Sequence, residues 1–460
     1  MPPLETPADA VVAAQTALTP ALARFAAFEA AAIPTSALAT ARLSLLDWAA
    51  VALAGAGEPV SRIVREDALR DGGRAEAGIV GHATRLPARA AALVNGATSH
   101  ALDYDDTHFL HVGHPSVAVF PAVLALAEAK GLPGGAVLPA ALIGMEASCR
   151  VGHWLGSAHY NAGFHQTATA GGFGAVLAAA RLLGLDAART AMALGLASTR
   201  VSGLKSQFGT MGKPFNAGLA AANGIEAARL AAAGFISNPE ALEGAQGFGE
   251  THGQDGAAPA EALRGLGEEW VFEAVSYKFH ACCHGLHAML EALGTLREGV
   301  APADIRGVEV FTNPRWLKVC NIASPETGLE AKFSYRHTAA MALSGWETGA
   351  LESYTDAAAS DPDLAALRER VAVVPDAEVS DTAARVVLTL ADGDVGEGTH
   401  DLARPEPFET RRAKIEAKAA ALLGQDVARD LAARVAALDA SEVPFTLSWL
   451  LTGKADCPAA

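Results

Sequence analysis

At 460 residues the chain is too long for one ordinary hydrophobic core, so two domains are the default. Its 35 basic against 51 acidic residues give a formal net charge of −16, which argues against nucleic acid and anionic membrane as partners. Half of the chain is hydrophobic, yet no run of about 18 uncharged apolar residues is found, so a helix-rich chain without a membrane span is expected. Five cysteines, with Cys282 and Cys283 adjacent and no C-x-x-C spacing, point to neither a disulfide framework nor an iron-sulfur or structural zinc site.

The first residues, MPPLETPADAVVAAQ, carry acids where a secretory signal needs a basic segment followed by an apolar one, so a cytoplasmic location is expected. Residues 7–31 and 35–55 read as helices, the second capped near Pro34-Thr35-Ser36 and carrying Leu43, Leu46, Trp48, Val51 and Leu53 at buried-helix spacing. A short charged helix over 59–71 follows, then a brief extended piece at Gly78-Ile79-Val80-Gly81 and a helix opening at Pro87.

That helix leads into Asn95 to Ser116, NGATSHALDYDDTHFLHVGHPS, which holds His100, His108, His111 and His114 of the chain's 14 histidines, with Asp103, Asp105 and Asp106. Apolar helical patterns flank it and would pull these groups inward, where ionisable side chains must be paired or put to use. Asp103, Asp106 and Thr107 would share one face of a continuing helix, and Gly113 and Pro115 would end it. Ser116 would cap the next helix, leaving His114 beside an N-terminus suited to an anion. The three-residue histidine spacing raises a metal site, but Gly113 and Pro115 break the helix that would align the ligands, so no metal is expected.

Helices are then expected over 116–130, 134–152, 161–182, 185–204 and 213–233. Two junctions among them are built alike: GFHQT, with His165, and FGTMGKP, with Lys213, each present a polar residue at the start of an Ala/Gly-rich helix. Only nine lysines accompany 26 arginines, and Lys205, Lys213, Lys278, Lys318 and Lys332 cluster beside such motifs, as compact titratable ammonium groups would.

Near 266 the pattern changes. The motif KFHACCHGLH, beginning at Lys278, opens a helix, and strand-like runs follow at 307–312, 371–374 and 385–390, the last ending in the turn Asp392-Gly393-Asp394. Between them KFSYRH leads into the helical TAAMALSGW, and helices return from 407 to 453. The expected organisation is a helical domain over 1–266 and 405–460 with an α+β domain over 267–404 inserted in it, a mainly α chain with an α+β part.

The runs DYDDTH and GHPSVAVFPAVLALAE, then GFHQTATAGGFGA, FGTMGKPFNAGLAAANGIEAA, YKFHACCHGLHA and KFSYRHTAAMAL together resemble the MmgE/PrpD family, in order and over nearly the whole chain. That family includes 2-methylcitrate dehydratase, cis-aconitate decarboxylase and iminodisuccinate epimerase. The resemblance implies a large all-helical domain made from both chain ends, a smaller α+β lid, a homodimer, and no metal or organic cofactor. It implies a pocket of Asp103, Thr107, His114, His165, Lys213 and Lys278. His108 stands where decarboxylase-like members carry tryptophan and His337 where they carry tyrosine. His108, Phe109, Arg336 and His337 are therefore expected in the pocket wall that sets specificity.

The family's difficulty is a carbanion beside a carboxylate, which calls for fixed cations and donors in a water-poor cavity and a histidine to move the proton. Lys213 and Lys278 suit the first task and His114 or His165 the second. Asp103 would orient an imidazole or accept a proton, and Thr107 would bind a substrate carboxylate. Dehydration of a 2-methylcitrate-like hydroxy acid is the leading expectation, with cis-aconitate-type decarboxylation or epimerisation as alternatives.

Overall fold

The computed structural model describes residues 17–253, 256–404 and 406–453. It divides into two compact units, one of residues 1–275 and 423–460 and one of residues 276–422.

In the first unit the described chain begins with α1 (Leu18–Phe25), shorter than the helix expected over 7–31. Residues 7–16 lie outside the described residues, and beyond Phe25 the chain turns so that Phe28 packs on Phe25 and Trp270, ring centroids 5.6 and 5.7 Å apart. Helices α2 (Thr35–Gly55) and α3 (Pro59–Asp71) follow as the apolar spacing predicts, although Pro34 stands at the α2 cap position and no side chain caps it. By length and composition α2 could cross a bilayer, but most of it is buried here, with Leu45, Trp48, Ala49 and Val51 at 0% exposure. It is a core helix of this unit. The extended piece near 78 is strand β1 (Ala77–Ile79), which pairs antiparallel with β2 (His82–Leu86).

Five further helices carry the site: α4 (Ala88–Ser99), α5 (Ser116–Lys130), α6 (Val137–Ala162), α7 (Gln166–Leu182) and, beyond α8 (Ala187–Ala197), α9 (Gly212–Ala232). The small-residue patterns of α7 and α9 let helix backbones approach closely. A Cβ on Gly174 of α7 would overlap Ser148 Oγ and Gly144 O of α6, and one on Gly96 of α4 would lie 2.7 Å from the Cα of Gly218 in α9. Ala118, Ala168 and Ala220 meet in the core between α5, α7 and α9. Helix α6 runs past its expected end at 152, broken at Gly156 (φ 69°). Helix α8 stops short of 204, at Ala197, and the Ser198 and Thr199 hydroxyls donate to the carbonyls of Gly195 and Leu196.

The second unit holds α10 (His287–Leu296), β3 (Ile305–Thr312), α11 (Tyr335–Leu343), α12 (Pro362–Arg368), β4 (Val371–Pro375), β5 (Ala383–Leu390), β6 (Val395–Asp401) and α13 (Phe408–Leu423). Its sheet runs β4-β3-β5-β6, with β3 parallel to β4 and antiparallel to β5. Strand β6, VGEGTHD, has no alternating apolar pattern. Its backbone pairs with β5, and its glycines admit α10, since a Cβ on Gly398 would come within 2.9 Å of the Ala292 carbonyl. Residues 278–283 are not helical, and the helix expected there starts only at His287.

Two helices, α14 (Gln425–Ala437) and α15 (Leu447–Thr452), return to the first unit. The unit boundaries differ from those read at 266 and 404. Residues 269–272 are held to α6, since Arg150 donates to the Glu269 carbonyl and the Glu146 carboxylate accepts the N–H groups of Val271 and Phe272. Helix α13 is tied to the second unit by Lys414, whose Nζ lies 2.7 Å from Glu291 of α10. The chain is mainly α with a smaller α+β part, as expected.

Candidate active site

Between α4 and α5 residues 100–115 form no helix. Two non-glycine residues there take left-handed backbone, Asp103 (φ 50°) and the β-branched Val112 (φ 52°), and His108 N–H donates to the Gly113 carbonyl at 2.9 Å to close the loop. Strained conformations of this kind concentrate where surrounding structure fixes a functional geometry. Asp103, Asp106 and Thr107 therefore do not share a helical face. Asp106 turns inward, its carboxylate accepting hydrogen bonds from the Ser116 hydroxyl and, at 3.3 Å, the Ser116 N–H. Ser116 is the first residue of α5 and serves Asp106 rather than capping its own helix. The Asp103 side chain stays about half exposed.

The centre of the loop is Asp105, fully buried, with its two oxygens meeting two imidazoles: His100 Nδ1 at 2.9 Å and His114 Nδ1 at 2.8 Å. Burial pushes the Asp105 carboxyl up, but the two histidines outweigh it and hold the group well below the usual carboxylate range. The far nitrogen of His114, Nε2, lies 3.6 Å from Asp103 Oδ1, and the other oxygen of Asp103 pairs with Lys213 Nζ at 2.6 Å. Lys213 stands in the first turn of α9 and also faces the Phe208 ring, 5.2 Å from its centroid.

The remaining histidine of the cluster, His165, precedes α7; its N–H donates to the Gly203 carbonyl and its ring packs edge-on against Phe208 and stacks on His100. Burial, with His100, Lys213 and His114 adding, holds its pKa well below the ordinary histidine value, so the ring stays neutral. The Asn216 amide lies 3.3 Å from His165 Nδ1. His114 N–H donates to Thr167 Oγ1, which ties the loop to α7. The two similarly built junctions thus converge on the histidine loop, bringing Asp103, His114, His165 and Lys213 together.

Thr107 and His108 are buried in the same loop. His108 accepts the His111 N–H at Nδ1, so its Nε2 carries the proton and donates to the Val271 carbonyl at 2.7 Å. Burial brings its pKa down to about 4 and that of His111 to about 3, where His108 and His114 add to the effect. Both rings are neutral packing elements, and His108 spends its two nitrogens on backbone.

Lys278, Arg336 and His337 belong to the second unit. Lys278 is buried there at 3% exposure. Arg336 donates to the Val371 carbonyl at 3.2 Å and reaches Asn321 Oδ1 at 3.4 Å, so its guanidinium steadies the start of β4. His337 is fully buried on α11, pushed down to about 4 by burial and by Arg368, whose guanidinium lies 3.5 Å from its Nδ1.

His100 and Asp105 stand out in the sequence only as members of the ionisable cluster, and neither receives a role there. Which aspartate faces which histidine depends on the left-handed turn at Asp103, and no spacing rule carries that. His100, Asp103, Asp105 and His114 offer donor atoms within 4.8 Å of one another, as a metal site would. They do not fit one as they stand: Asp105 is already shared by two imidazoles, and the Lys213 ammonium supplies the positive charge at Asp103. The second such group, Glu291, His400 and Glu406, likewise has the Lys414 ammonium 2.7 and 2.8 Å from its two carboxylates.

Residues 21–260 match the MmgE/PrpD N-terminal domain and residues 280–441 the MmgE/PrpD C-terminal domain. Cis-aconitate decarboxylase of Aspergillus terreus is 32% identical over 278 residues, covering 58% of this chain and 57% of that protein. This alignment therefore spans little more than half of the fungal relative's length. Cis-aconitate decarboxylase of Homo sapiens is 29% identical over 392 residues, 80% of each chain, and that of Mus musculus 29% over 394 residues, 80% of this chain and 79% of the other. With both domains matched in order, the chain belongs to the MmgE/PrpD family.

Proposed function

We propose that the chain is a cofactor-independent lyase for a small di- or tricarboxylate, in which His114 moves the proton and Lys213 meets the negative charge that builds up beside a carboxylate. The observation that carries this reading is the line Lys213, Asp103, His114, with contacts of 2.6 and 3.6 Å, standing over the buried Asp105. A fixed ammonium beside an oriented imidazole suits carbanion chemistry at pH 7, since preorganised groups meet the developing charge without the reorganisation cost that water incurs.

The relatives named above are cis-aconitate decarboxylases, so loss of carbon dioxide from a cis-aconitate-like tricarboxylate is the first reaction to test. The electrons of the broken C–C bond would pass into the conjugated carboxylate beside Lys213, and protonated His114 would deliver its proton to carbon. Dehydration of a 2-methylcitrate-like hydroxy acid is the second reading, favoured by His108 and His337 standing where decarboxylase-like members carry tryptophan and tyrosine. There the imidazole would take the proton from carbon while a neighbouring acid protonates the departing hydroxyl. Thr107 is proposed to bind a substrate carboxylate, and Lys278 enters as a second cation on the strength of its motif. The proposal includes a homodimer acting in the cytoplasm.

Incubation with cis-aconitate, 2-methylcitrate and iminodisuccinate separates the reactions by carbon dioxide release, alkene absorbance and loss of optical rotation. Lys213→Ala should lower kcat by at least about 10²-fold with an unchanged circular dichroism spectrum. Activity that survives this substitution would show that the charge builds up elsewhere.

A further inference from the structure

We propose that Cys283 and Cys320 of the second unit are a redox-active thiol pair, which a peroxide closes into a disulfide between the KFHACCHG motif and the segment after Lys318. The observation that carries it is the contact between their sulfurs: Cys320 Sγ donates to Cys283 Sγ at 3.2 Å, across 37 residues of chain. Neither residue stands in a C-x-x-C pair, so spacing alone does not reveal the contact. Backbone hydrogen bonds hold the two together. Cys283 N–H donates to the Lys332 carbonyl at 3.0 Å and Tyr335 N–H to the Cys320 carbonyl at 3.2 Å, so both cysteines hang on the stretch 332–335. Gly285 admits the approach, because a Cβ there would lie 2.9 Å from Cys320 Sγ and 2.5 Å from the Trp316 ring. The sulfurs need to close by only about 1 Å to reach bonding distance, a shift within the range of side-chain rotation.

The two thiols have different tasks. Cys283 is half-buried and Cys320 is at 0% exposure, so an oxidant arriving from solvent meets Cys283 first. The contact with Cys283, with burial adding, pushes the Cys320 thiol up; it keeps its proton and offers it to the Cys283 sulfur, which favours a thiolate there. Cys282, next in sequence, is not a third member. Burial pushes its thiol up to about 12, and its sulfur meets Tyr354 instead. The step balances with hydrogen peroxide as the oxidant. The Cys283 thiolate attacks one peroxide oxygen, the O–O bond breaks, and Cys283 becomes a sulfenic acid while the other oxygen leaves as hydroxide and takes up a proton to give water. The Cys320 sulfur then attacks the Cys283 sulfur, the S–OH bond breaks, and the hydroxide leaves as water with the Cys320 proton. Two electrons pass from the thiols to the peroxide, and a small dithiol such as dithiothreitol reverses the change.

Full-length protein, reduced and then freed of reductant, is treated with hydrogen peroxide at neutral pH and its remaining thiols are alkylated. The monomer band of a non-reducing denaturing gel is digested with trypsin. Cleavage after Lys278, Arg297, Lys318 and Lys332 puts Cys282 and Cys283 on one peptide and Cys320 on another. Mass spectrometry should find these peptides linked, fragmentation should place the bond at Cys283, and dithiothreitol should remove it. Alkylated Cys320 beside an oxidised Cys283, a bond at Cys282, or a pair that reacts no faster than the thiol of glutathione would overturn the proposal. Cys320→Ser leaves Cys283 without its partner, so a 1,3-diketone should trap the Cys283 sulfenic acid in this variant and not in wild type. In Cys283→Ser, Cys320 should stay reduced, and its oxidation at the wild-type rate would overturn the order of the two thiols. The wild-type digest decides the bond even where a variant does not fold, and no step needs turnover of any substrate.

Discussion

Replacing Asp106 by asparagine should remove most of the alkaline sensitivity of the first unit. Asp106 is 1% exposed, and burial pushes its carboxyl from the ordinary 3.8 up to about 8, with Asp47 and Asp105 adding; the Ser116 hydrogen bonds pull the other way and lose. The folded protein thus keeps a proton that the unfolded chain gives up above 3.8. The stability contributed by this group is fully present below the unfolded value and is lost as pH rises through the folded one. Across pH 5 to 8 the loss runs at roughly 1.4 kcal/mol per unit and flattens near the top, about 4 kcal/mol in all. Asparagine has the shape of the protonated acid and does not titrate. The stability difference between Asp106→Asn and wild type should therefore grow by about 4 kcal/mol from pH 5 to pH 8. Urea unfolding in pH steps, followed by tryptophan fluorescence and circular dichroism, measures it. The opposite slopes of His108 and His111, whose lowered pKa values cost stability as pH falls below about 6.5, are common to both proteins and cancel. Parallel curves across this range would refute a protonated Asp106.

Three further outcomes follow from packing and charge. Gly174→Ala should lower the thermal midpoint, because its Cβ overlaps Gly144 O, a backbone atom that cannot move aside; overpacking of this kind costs about 1–3 kcal/mol or more. Gly57→Ala, which meets nothing within 4 Å, is the control and should leave the midpoint unchanged. Arg150→Met should destabilise by about 3–5 kcal/mol in chemical denaturation, because it leaves Glu146 buried without its 2.7 Å partner. The loss also includes the Arg150 hydrogen bonds to the carbonyls of Ala262, Arg264 and Glu269, and a variant as stable as wild type would contradict the buried-pair explanation. Prolonged chelation should leave turnover unchanged, because ammonium groups hold the positive charge at both carboxylate clusters; inactivation that a divalent ion reverses would contradict this.

Much of the helical framework is legible in the sequence because a helix is a local object. Apolar spacing and Gly or Pro punctuation place α5, α7 and α9 within a few residues of their observed ends. Strand β6 is not legible, since its partner β5 and the helix α10 above it, rather than its own residues, make it a strand. The compact units end at 275 and 422 rather than at the composition changes near 266 and 404, where single side chains, Arg150 and Lys414, tie the intervening residues to one unit.

Motif order and composition, which survive without coordinates, were enough for the family and the helix-rich class, and they picked out Asp103, His114, His165 and Lys213, which meet in the first unit. Only the tertiary structure decided what each of those residues does. Asp103, Asp105 and Asp106 are near-identical in sequence terms, yet one pairs with Lys213 at the surface, one is clamped between His100 and His114, and one is buried against Ser116. A left-handed turn at Asp103 sorts them, and dielectric and partner then give the same carboxyl group opposite behaviour: ionised at Asp105, protonated at Asp106.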